Sequence, residues 1–112
     1  MIDSYSFGSI SIDGKEYRSD VIIYPDRVDG NWWRKEGHRL SVEDLMEALA
    51  AGPEILIVGK GAYGCMSVSP ETQNHIESLG IKLVVENTKQ ACGTHNELSK
   101  TTRVVTCLHL TC

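Results

Sequence analysis

No hydrophobic stretch in this sequence is long enough to cross a bilayer, which takes roughly 18 consecutive apolar residues. Residues 1–6 also lack the basic start and the apolar run of a secretory signal peptide. These two absences predict a cytoplasmic protein without membrane insertion.

Positive charge is scarce as well. The 112 residues include 11 Lys and Arg against 15 Asp and Glu, which gives a formal net charge of −4. A protein that binds the phosphate backbone of nucleic acids needs clustered Lys and Arg to displace counterions. We therefore expect no nucleic-acid partner.

Cysteine spacings typical of metal or redox sites are missing. The four cysteines, Cys65, Cys92, Cys107 and Cys112, include no Cys-x-x-Cys pair. In a reducing compartment they are expected to be free thiols. Cys107 and His109 would share one face of a strand, with Cys112 beyond them, but this spacing is not a standard zinc pattern. We therefore predict no metal site and no cofactor.

The order of the predicted elements indicates an α/β fold in one domain, residues 1–112. Asp13-Gly14 is a strong hairpin signal between strands over 10–12 and 15–18. Further elements alternate: a strand over 21–24, a helix over 41–52, a strand over 55–58, a helix over 69–80, a strand over 81–85, a helix over 88–99 and a strand over 103–110. Residues 55–85 form a natural βαβ unit, so we expect a mixed sheet covered by helices. Residues 28–34 fit either a further strand or a covering loop.

Apolar residues at helical spacing predict the buried face of the first two helices. Ser41 is the expected N-cap of the first helix, with acidic residues in the turn that follows it. The inward-facing residues are Val42, Leu45, Met46 and Leu49 in the first helix, and Ile76 and Leu79 in the second.

A glycine loop, Gly59-Lys60-Gly61-Ala62-Tyr63-Gly64, follows the strand over 55–58 and matches the G-x-G-x-x-G pattern of dinucleotide-binding domains. Glu86 ends the next strand about 20 residues later, where such domains place the acid that binds ribose. The next helix, however, starts only at Ser69, so we interpret the loop as a turn. A small bound anion is the alternative. Its ligands would be Gly59, Lys60, Gly61, Gly64 and Cys65.

Two cysteines are candidates for thiol chemistry. Cys65 could act as a nucleophile, because loop amides and the Lys60 ammonium would favour its thiolate. Cys92 and His95 are three residues apart on a helix and can touch, as in a thiol–imidazole pair. No oxyanion donor or orienting group accompanies that pair, so we assign no catalytic residue and interpret the pair as packing.

Aromatic residues are few, yet Trp32-Trp33-Arg34 concentrates two of them beside a basic residue. Such residues dominate the binding energy of protein interfaces. A structural interpretation is that one tryptophan fills the core while the other covers a sheet edge. The two interpretations are compatible, and Trp32, Trp33 and Arg34 are the predicted interaction residues.

The segment from Asn87 to Leu98, followed by Arg103-Val104, resembles the Thr-x-x-Ala-Cys-x-x-x-Asn-x-Leu and Arg-x-Val stretches of the adipogenesis-associated Mth domain family. The matching residues are Thr88, Ala91, Cys92, Asn96, Leu98 and Arg103. Further similarities are the Asp13-Gly14 hairpin, Asp20-Val21, Trp33, the strand and turn at 58–61, Pro70, Gly80-Ile81 and the segment 108–112. The resemblance thus covers nearly the whole chain. Asn87 and His95 stand where many bacterial relatives carry Asp and Tyr.

This resemblance implies a three-layer single α/β domain with a central mixed sheet. With the N-terminal antiparallel hairpin and the βαβ unit indicated by the residues themselves, this is the predicted fold. The family is a domain of unknown function whose relatives include a mitochondrial complex I assembly factor, and it brings no catalytic activity or required cofactor. We therefore expect a non-enzymatic protein-interaction, assembly or regulatory module with a protein partner, and leave a homodimer open. The alternative is a small anionic-ligand or nucleotide-binding domain, or a thiol enzyme, built on the loop from Gly59 to Gly64.

Overall fold

Ten strands and three α-helices follow one another in the computed structural model, which describes residues 1–112. The strands are β1 (Ile2–Ser6), β2 (Ser9–Ile12), β3 (Lys15–Tyr17), β4 (Val21–Ile23), β5 (Val28–Asp29), β6 (Arg39–Leu40), β7 (Ile55–Lys60), β8 (Ser67–Val68), β9 (Lys82–Glu86) and β10 (Val104–His109). The helices are α1 (Met46–Ala50), α2 (Pro70–Ser78) and α3 (Thr88–Leu98), and a 3₁₀ helix, Val42–Leu45, leads directly into α1.

The central sheet has the strand order β5-β4-β10-β7-β9. Strands β10, β7 and β9 are parallel, whereas β4 runs antiparallel to β10 and to β5. The predicted mixed sheet is therefore confirmed. The predicted βαβ unit is the connection from β7 through α2 to β9. Strand β7 is buried over most of its length, as its unbroken apolar run predicts for a strand covered on both faces.

A second, antiparallel sheet contains β1, β2 and β3. The turn between β2 and β3 has positive φ at both Asp13 and Gly14, 48° and 80°, as a hairpin turn of this type requires. Strand β1 was not evident from the sequence, because Ile2 is its only fully buried residue. Its polar positions give no clear alternation of apolar and polar residues. A two-stranded parallel pair, β6 with β8, completes the strand pairing.

Two apolar cores lie on opposite faces of the central sheet. Successive residues of β4 contribute to different cores, Ile22 to one and Ile23 to the other. The first core packs under the 3₁₀ helix, α1 and α2, and the second packs under α3 and the β1–β3 sheet. This arrangement gives the expected three layers. None of the helices combines the length and the hydropathy needed to span a membrane.

Two predicted core positions are wrong. Met46 is 61% exposed, and Leu79 is also exposed to solvent. The helix around Met46 begins as a 3₁₀ turn, with about three residues per turn, which rotates later residues away from their positions on a continuous α-helix. Ala48 takes the inward position instead. Leu79 lies at the C-cap of α2, beyond the last helical residue, and Thr72 and Ile76 form the buried face.

Candidate functional site

The Trp32-Trp33-Arg34 stretch lies in the connection between β5 and β6, here called the Trp33 loop (residues 30–38). Of the two structural alternatives for residues 28–34, the covering loop is therefore correct beyond Asp29. Trp32 is buried in the core and Arg34 is nearly buried, whereas Trp33 is 75% exposed. The predicted interaction residues thus divide into two that hold the loop and one that faces solvent.

Arg34 fixes the loop to the central sheet. Its Nη1 lies 2.6 Å from Oδ2 of Asp20, and the side chains are 5% and 17% exposed. Its Nη2 donates to the carbonyl of Gly37 at 3.0 Å and lies 3.0 Å from Nδ1 of His109. The guanidinium also stacks over Trp32, 4.7 Å from the ring centroid. Contacts on several sides therefore leave the loop little freedom beneath Trp33.

Asp20 is the common partner in this cluster. Its Oδ2 is also 2.9 Å from Nδ1 of His109, and its Oδ1 accepts the Leu110 amide at 2.8 Å. Burial by itself raises the pKa of the Asp20 carboxyl. The hydrogen bonds from His109, the Leu110 amide and Arg34 outweigh burial, so the pKa lies below its ordinary value. Asp20 is therefore ionised at neutral pH and compensates the buried Arg34 charge.

Asp44 joins the Trp33 loop to the neighbouring helix. Its carbonyl accepts the indole Nε1–H of Trp32 at 3.0 Å, and its Oδ1 accepts the main-chain N–H of Lys35 at 3.0 Å. Its Oδ2 accepts both the amide and the hydroxyl of Ser41, each at 2.9 Å, which completes a capping box at the predicted N-cap. One residue thus ties the loop that presents Trp33 to the helix that carries Met46.

Trp33 and Met46 line the same groove, here called the Trp33 groove, whose volume is about 610 Å³. Ile22 and Trp32 contribute its remaining apolar surface. The charged residues on its walls are four acids and one base: Asp29, Glu43, Asp44, Glu47 and Lys35. The groove therefore combines exposed apolar side chains with a negatively charged wall.

Most main-chain amides of the glycine loop and the residues after it are paired within the protein. Gly61 donates to Oγ1 of Thr88, and four further amides donate to main-chain carbonyls. These are Ala62 to Thr111, Gly64 to Gly61, Cys65 to Cys112, and Met66 to Lys60. The carboxylate of Glu86 accepts the Thr94 hydroxyl at 2.6 Å. No residue of 59–66 lines any of the four surface grooves. These amides are occupied within the protein, and the anion site stays an untested prediction.

The thiols lie in three kinds of environment. Cys65 is exposed, Cys112 is half-buried, and Cys92 and Cys107 are buried. Burial raises the pKa of Cys92 to about 11 and raises the pKa of Cys107 as well. No hydrogen bond joins Cys92 to His95, and Nδ1 of His95 lies 2.7 Å from Oγ1 of Thr106. The structure contains no cluster of three or more His, Cys, Asp or Glu side chains suited to a metal ion.

The residues of the family motif hold α3 against the two sheets. Thr88 donates its hydroxyl to the His109 carbonyl at 2.6 Å, and the Asn96 side chain makes two hydrogen bonds of 2.8 Å to the main chain of Ile2. Arg103 donates to the carbonyl of Ala51. The remaining motif residues pack in the second core: Ala91, Cys92 and Leu98. These contacts give the motif a structural role.

Sequence reasoning did not identify the grouping of Asp20 with Arg34 and His109. The residue pairs between β4 and β10 include Val21 with Leu108, and continuing this register places Asp20 opposite His109. A prediction that β4 pairs with β10 in this register would have placed the two side chains next to each other. Asp20 and His109 are 89 positions apart, and a single sequence contains no local pattern that would pair them.

Comparison with known proteins connects this architecture to a described family. Residues 2–109 match the family described as Protein of unknown function (DUF498/DUF598). The chain belongs to this family. Among solved structures, the conserved hypothetical protein PH1505 from Pyrococcus horikoshii OT3 is 31% identical, with a TM-score of 0.86 over 100% of this chain and 99% of that one.

Two further structures agree with this assignment. The protein named MT938 is 30% identical, with a TM-score of 0.83 over 100% of this chain and 98% of that one. A Mth938-like domain from Bordetella pertussis shares the fold at 20% identity and a TM-score of 0.78, over 98% of this chain and 85% of that one. The resemblance to the Mth domain family is therefore confirmed.

Proposed function

We propose that this domain is a non-enzymatic protein-interaction module whose contact surface is the Trp33 groove. The observation that carries the proposal is the 75% exposure of Trp33 on a loop that is fixed on both sides. Burial of that side chain against a partner contributes on the order of 3–4 kcal/mol of favourable hydrophobic free energy. The entropic cost of association is subtracted from this value.

The fixed loop supports this proposal on entropic grounds. A binding loop that must become ordered on association loses part of its gross interaction energy to that ordering. The Trp33 loop is already ordered, because Arg34 bonds to Asp20 and the carbonyl and carboxylate of Asp44 accept from Trp32 and Lys35. Trp33 is therefore held in position for contact.

The chemistry available elsewhere favours binding over catalysis. The pKa of Cys92 is raised, so its thiol is protonated at neutral pH. The amides that the alternative anion site would use donate to the protein's own oxygens. The exposed thiol of Cys65 lies outside these two observations, and the thiol enzyme built on the glycine loop stays an untested prediction.

Affinity capture with two matched variants tests this function. Trp33→Ala removes the exposed indole, and Tyr63→Ala removes an aromatic ring of similar exposure, 74%, that does not line the groove. A partner captured from cells at endogenous levels is expected to be lost with Trp33→Ala and retained with Tyr63→Ala. Both variants should keep the melting temperature of the wild type.

Two outcomes contradict the proposal. One is a partner that Trp33→Ala retains as well as the wild type does. The other is loss of the partner with both variants, which would show a general sensitivity to aromatic truncation. Replacing Trp32 or Arg34 is not a suitable test, because both side chains are buried and their loss would perturb the fold.

A further inference from the structure

The charge on the Trp33 groove is unbalanced. Four carboxylates and one ammonium line it, so its formal charge is 1 − 4 = −3. None of these five side chains takes part in an ion pair with another residue. The negative charge of this surface is therefore not neutralised within the protein.

Two of the carboxylates are free to bind a ligand. Asp44 accepts three hydrogen bonds from Lys35 and Ser41, and Asp29 accepts the amide of Asn31. Glu43 and Glu47 accept no hydrogen bond, and both line the groove. Both carry negative charge on the wall of the same groove, so a cation that enters the groove is attracted by both.

Beside these carboxylates lies the apolar pair of Trp33 and Met46. Methionine adapts its shape to different partners, and tryptophan provides a large rigid surface. A complementary ligand therefore carries at least one large apolar side chain next to positive charge. Arg and Lys meet the second requirement, and an Arg can also stack on the exposed indole.

We infer that the partner enters the Trp33 groove with a basic peptide segment that carries one large apolar anchor. This inference rests on the proposed function and names the chemistry of its partner. A second copy of the chain is a poor occupant, because each copy has a formal net charge of −4 and like-charged surfaces would face each other. Nucleic acids and anionic membranes meet the same repulsion.

Selection from a random peptide library tests the inference while the partner is still unidentified. A phage-displayed library of 12-residue peptides, about the length of one groove-binding segment, is selected on the wild-type chain and in parallel on Trp33→Ala. Peptides enriched only on the wild type are expected to have a net positive charge and at least one Leu, Met, Phe or Trp. Their affinity should fall as ionic strength rises.

A charge-matched pair of variants makes the test quantitative. Glu43→Gln/Glu47→Gln is expected to weaken binding of a selected peptide by roughly threefold to tenfold, from two charge contacts near the surface. Glu54→Gln/Glu77→Gln changes the net charge equally at exposed positions that do not line the groove, and should leave the affinity unchanged.

The possible outcomes distinguish an error in the partner chemistry from an error in the proposed interaction function. Neutral or acidic peptides that require Trp33, or basic peptides unaffected by Glu43→Gln/Glu47→Gln, overturn the partner chemistry and leave the interaction function standing. Equal enrichment on wild type and Trp33→Ala overturns both. A dimer seen by sedimentation that Trp33→Ala dissociates makes a second copy the occupant, and it too overturns the inference.

Discussion

The Arg34 guanidinium meets the Asp20 carboxylate at 2.6 Å in a part of the molecule nearly closed to solvent. Asp20 precedes β4 in the central sheet, and Arg34 belongs to the loop that carries the exposed Trp33. The pair therefore fixes the position of the candidate binding surface relative to the sheet. A buried pair of this kind contributes little net stability by itself, but the loss of either partner leaves an uncompensated charge.

Asp20→Asn is therefore expected to lower the free energy of unfolding by roughly 3–5 kcal/mol, because it leaves the Arg34 charge buried without a counterion. Urea denaturation at pH 7 measures this change. Asp26→Asn serves as the control, since Asp26 pairs with Arg27 on the exposed surface. The control should cost no more than about 1 kcal/mol. Equal effects of the two substitutions would contradict the assigned role of Asp20.

The Asp20 carboxyl also predicts a contribution to the free energy of unfolding that is lost in acid. Because the pKa of Asp20 is lower in the folded chain than in the unfolded chain, its stabilising effect is present above about pH 4. That effect is lost as the pH falls through the folded-state pKa. The wild type should therefore lose more stability than Asp20→Asn between pH 4 and more acidic conditions, as measured by urea denaturation at each pH.

His95 predicts a second pH range, above that of Asp20, in which the stability of the fold changes. Burial, reinforced by the N-terminal ammonium, lowers the pKa of His95 to about 4. The unfolded chain binds a proton on this imidazole below about pH 6.5, so stability falls by up to about 3 kcal/mol as the pH drops towards 4. His95→Gln should reduce that slope, whereas His75→Gln, on the exposed face of α2, should not. Unchanged slopes in both variants would exclude His95 as the cause.

Gly61→Ala is expected to destabilise the fold by at least about 1–3 kcal/mol. Gly61 has φ of +104°, and a Cβ there would meet the main chain of Cys112. Gly93→Ala is the control: Gly93 lies in α3 with open space around its Cα, so the substitution should stabilise the helix by about 1 kcal/mol. Thermal unfolding of the two variants should therefore shift in opposite directions.

Alkylation of the native protein should distinguish the four thiols. Iodoacetamide at neutral pH is expected to modify the exposed Cys65 first and the half-buried Cys112 more slowly. Cys92 and Cys107 should react only in denaturant, because burial both blocks access and raises their pKa values. Peptide mapping by mass spectrometry measures each site, and rapid native modification of Cys92 would contradict the packing role of this residue.

Elements with a local chemical signature could be predicted from the sequence. The Asp13-Gly14 turn needs positive φ, the Ser69-Pro70 start provides a cap and a proline at the first helical position, and β7 is an unbroken apolar run. The exposure of Met46 could not be predicted in the same way. It depends on whether the preceding turn is 3₁₀ or α, and the spacing of apolar residues in the sequence does not distinguish the two.

The sequence predicts which segment carries the candidate site, but it does not predict how the side chains of that segment are arranged. The Trp32-Trp33-Arg34 stretch stands out by composition, yet its alternation between buried and exposed side chains follows from contacts with Asp20 and Asp44. Asp20 reaches the site through the pairing of β4 with β10, which joins residues nearly a chain length apart. A pairing register of this kind is a tertiary property, so a single sequence does not reveal it.

The position of β10 has a consequence for biosynthesis. This strand joins β4 on one side to β7 on the other, and it is the last strand of the domain to leave the ribosome. Until residues 104–109 emerge, the nascent chain carries two sheet portions, and the edges of β4 and β7 lack the strand that pairs with both. Folding is therefore expected to finish only after these residues emerge. A ribosome-stalled chain ending at residue 100 should be protease-sensitive, and one extended past residue 112 by a linker that clears the exit tunnel should be resistant.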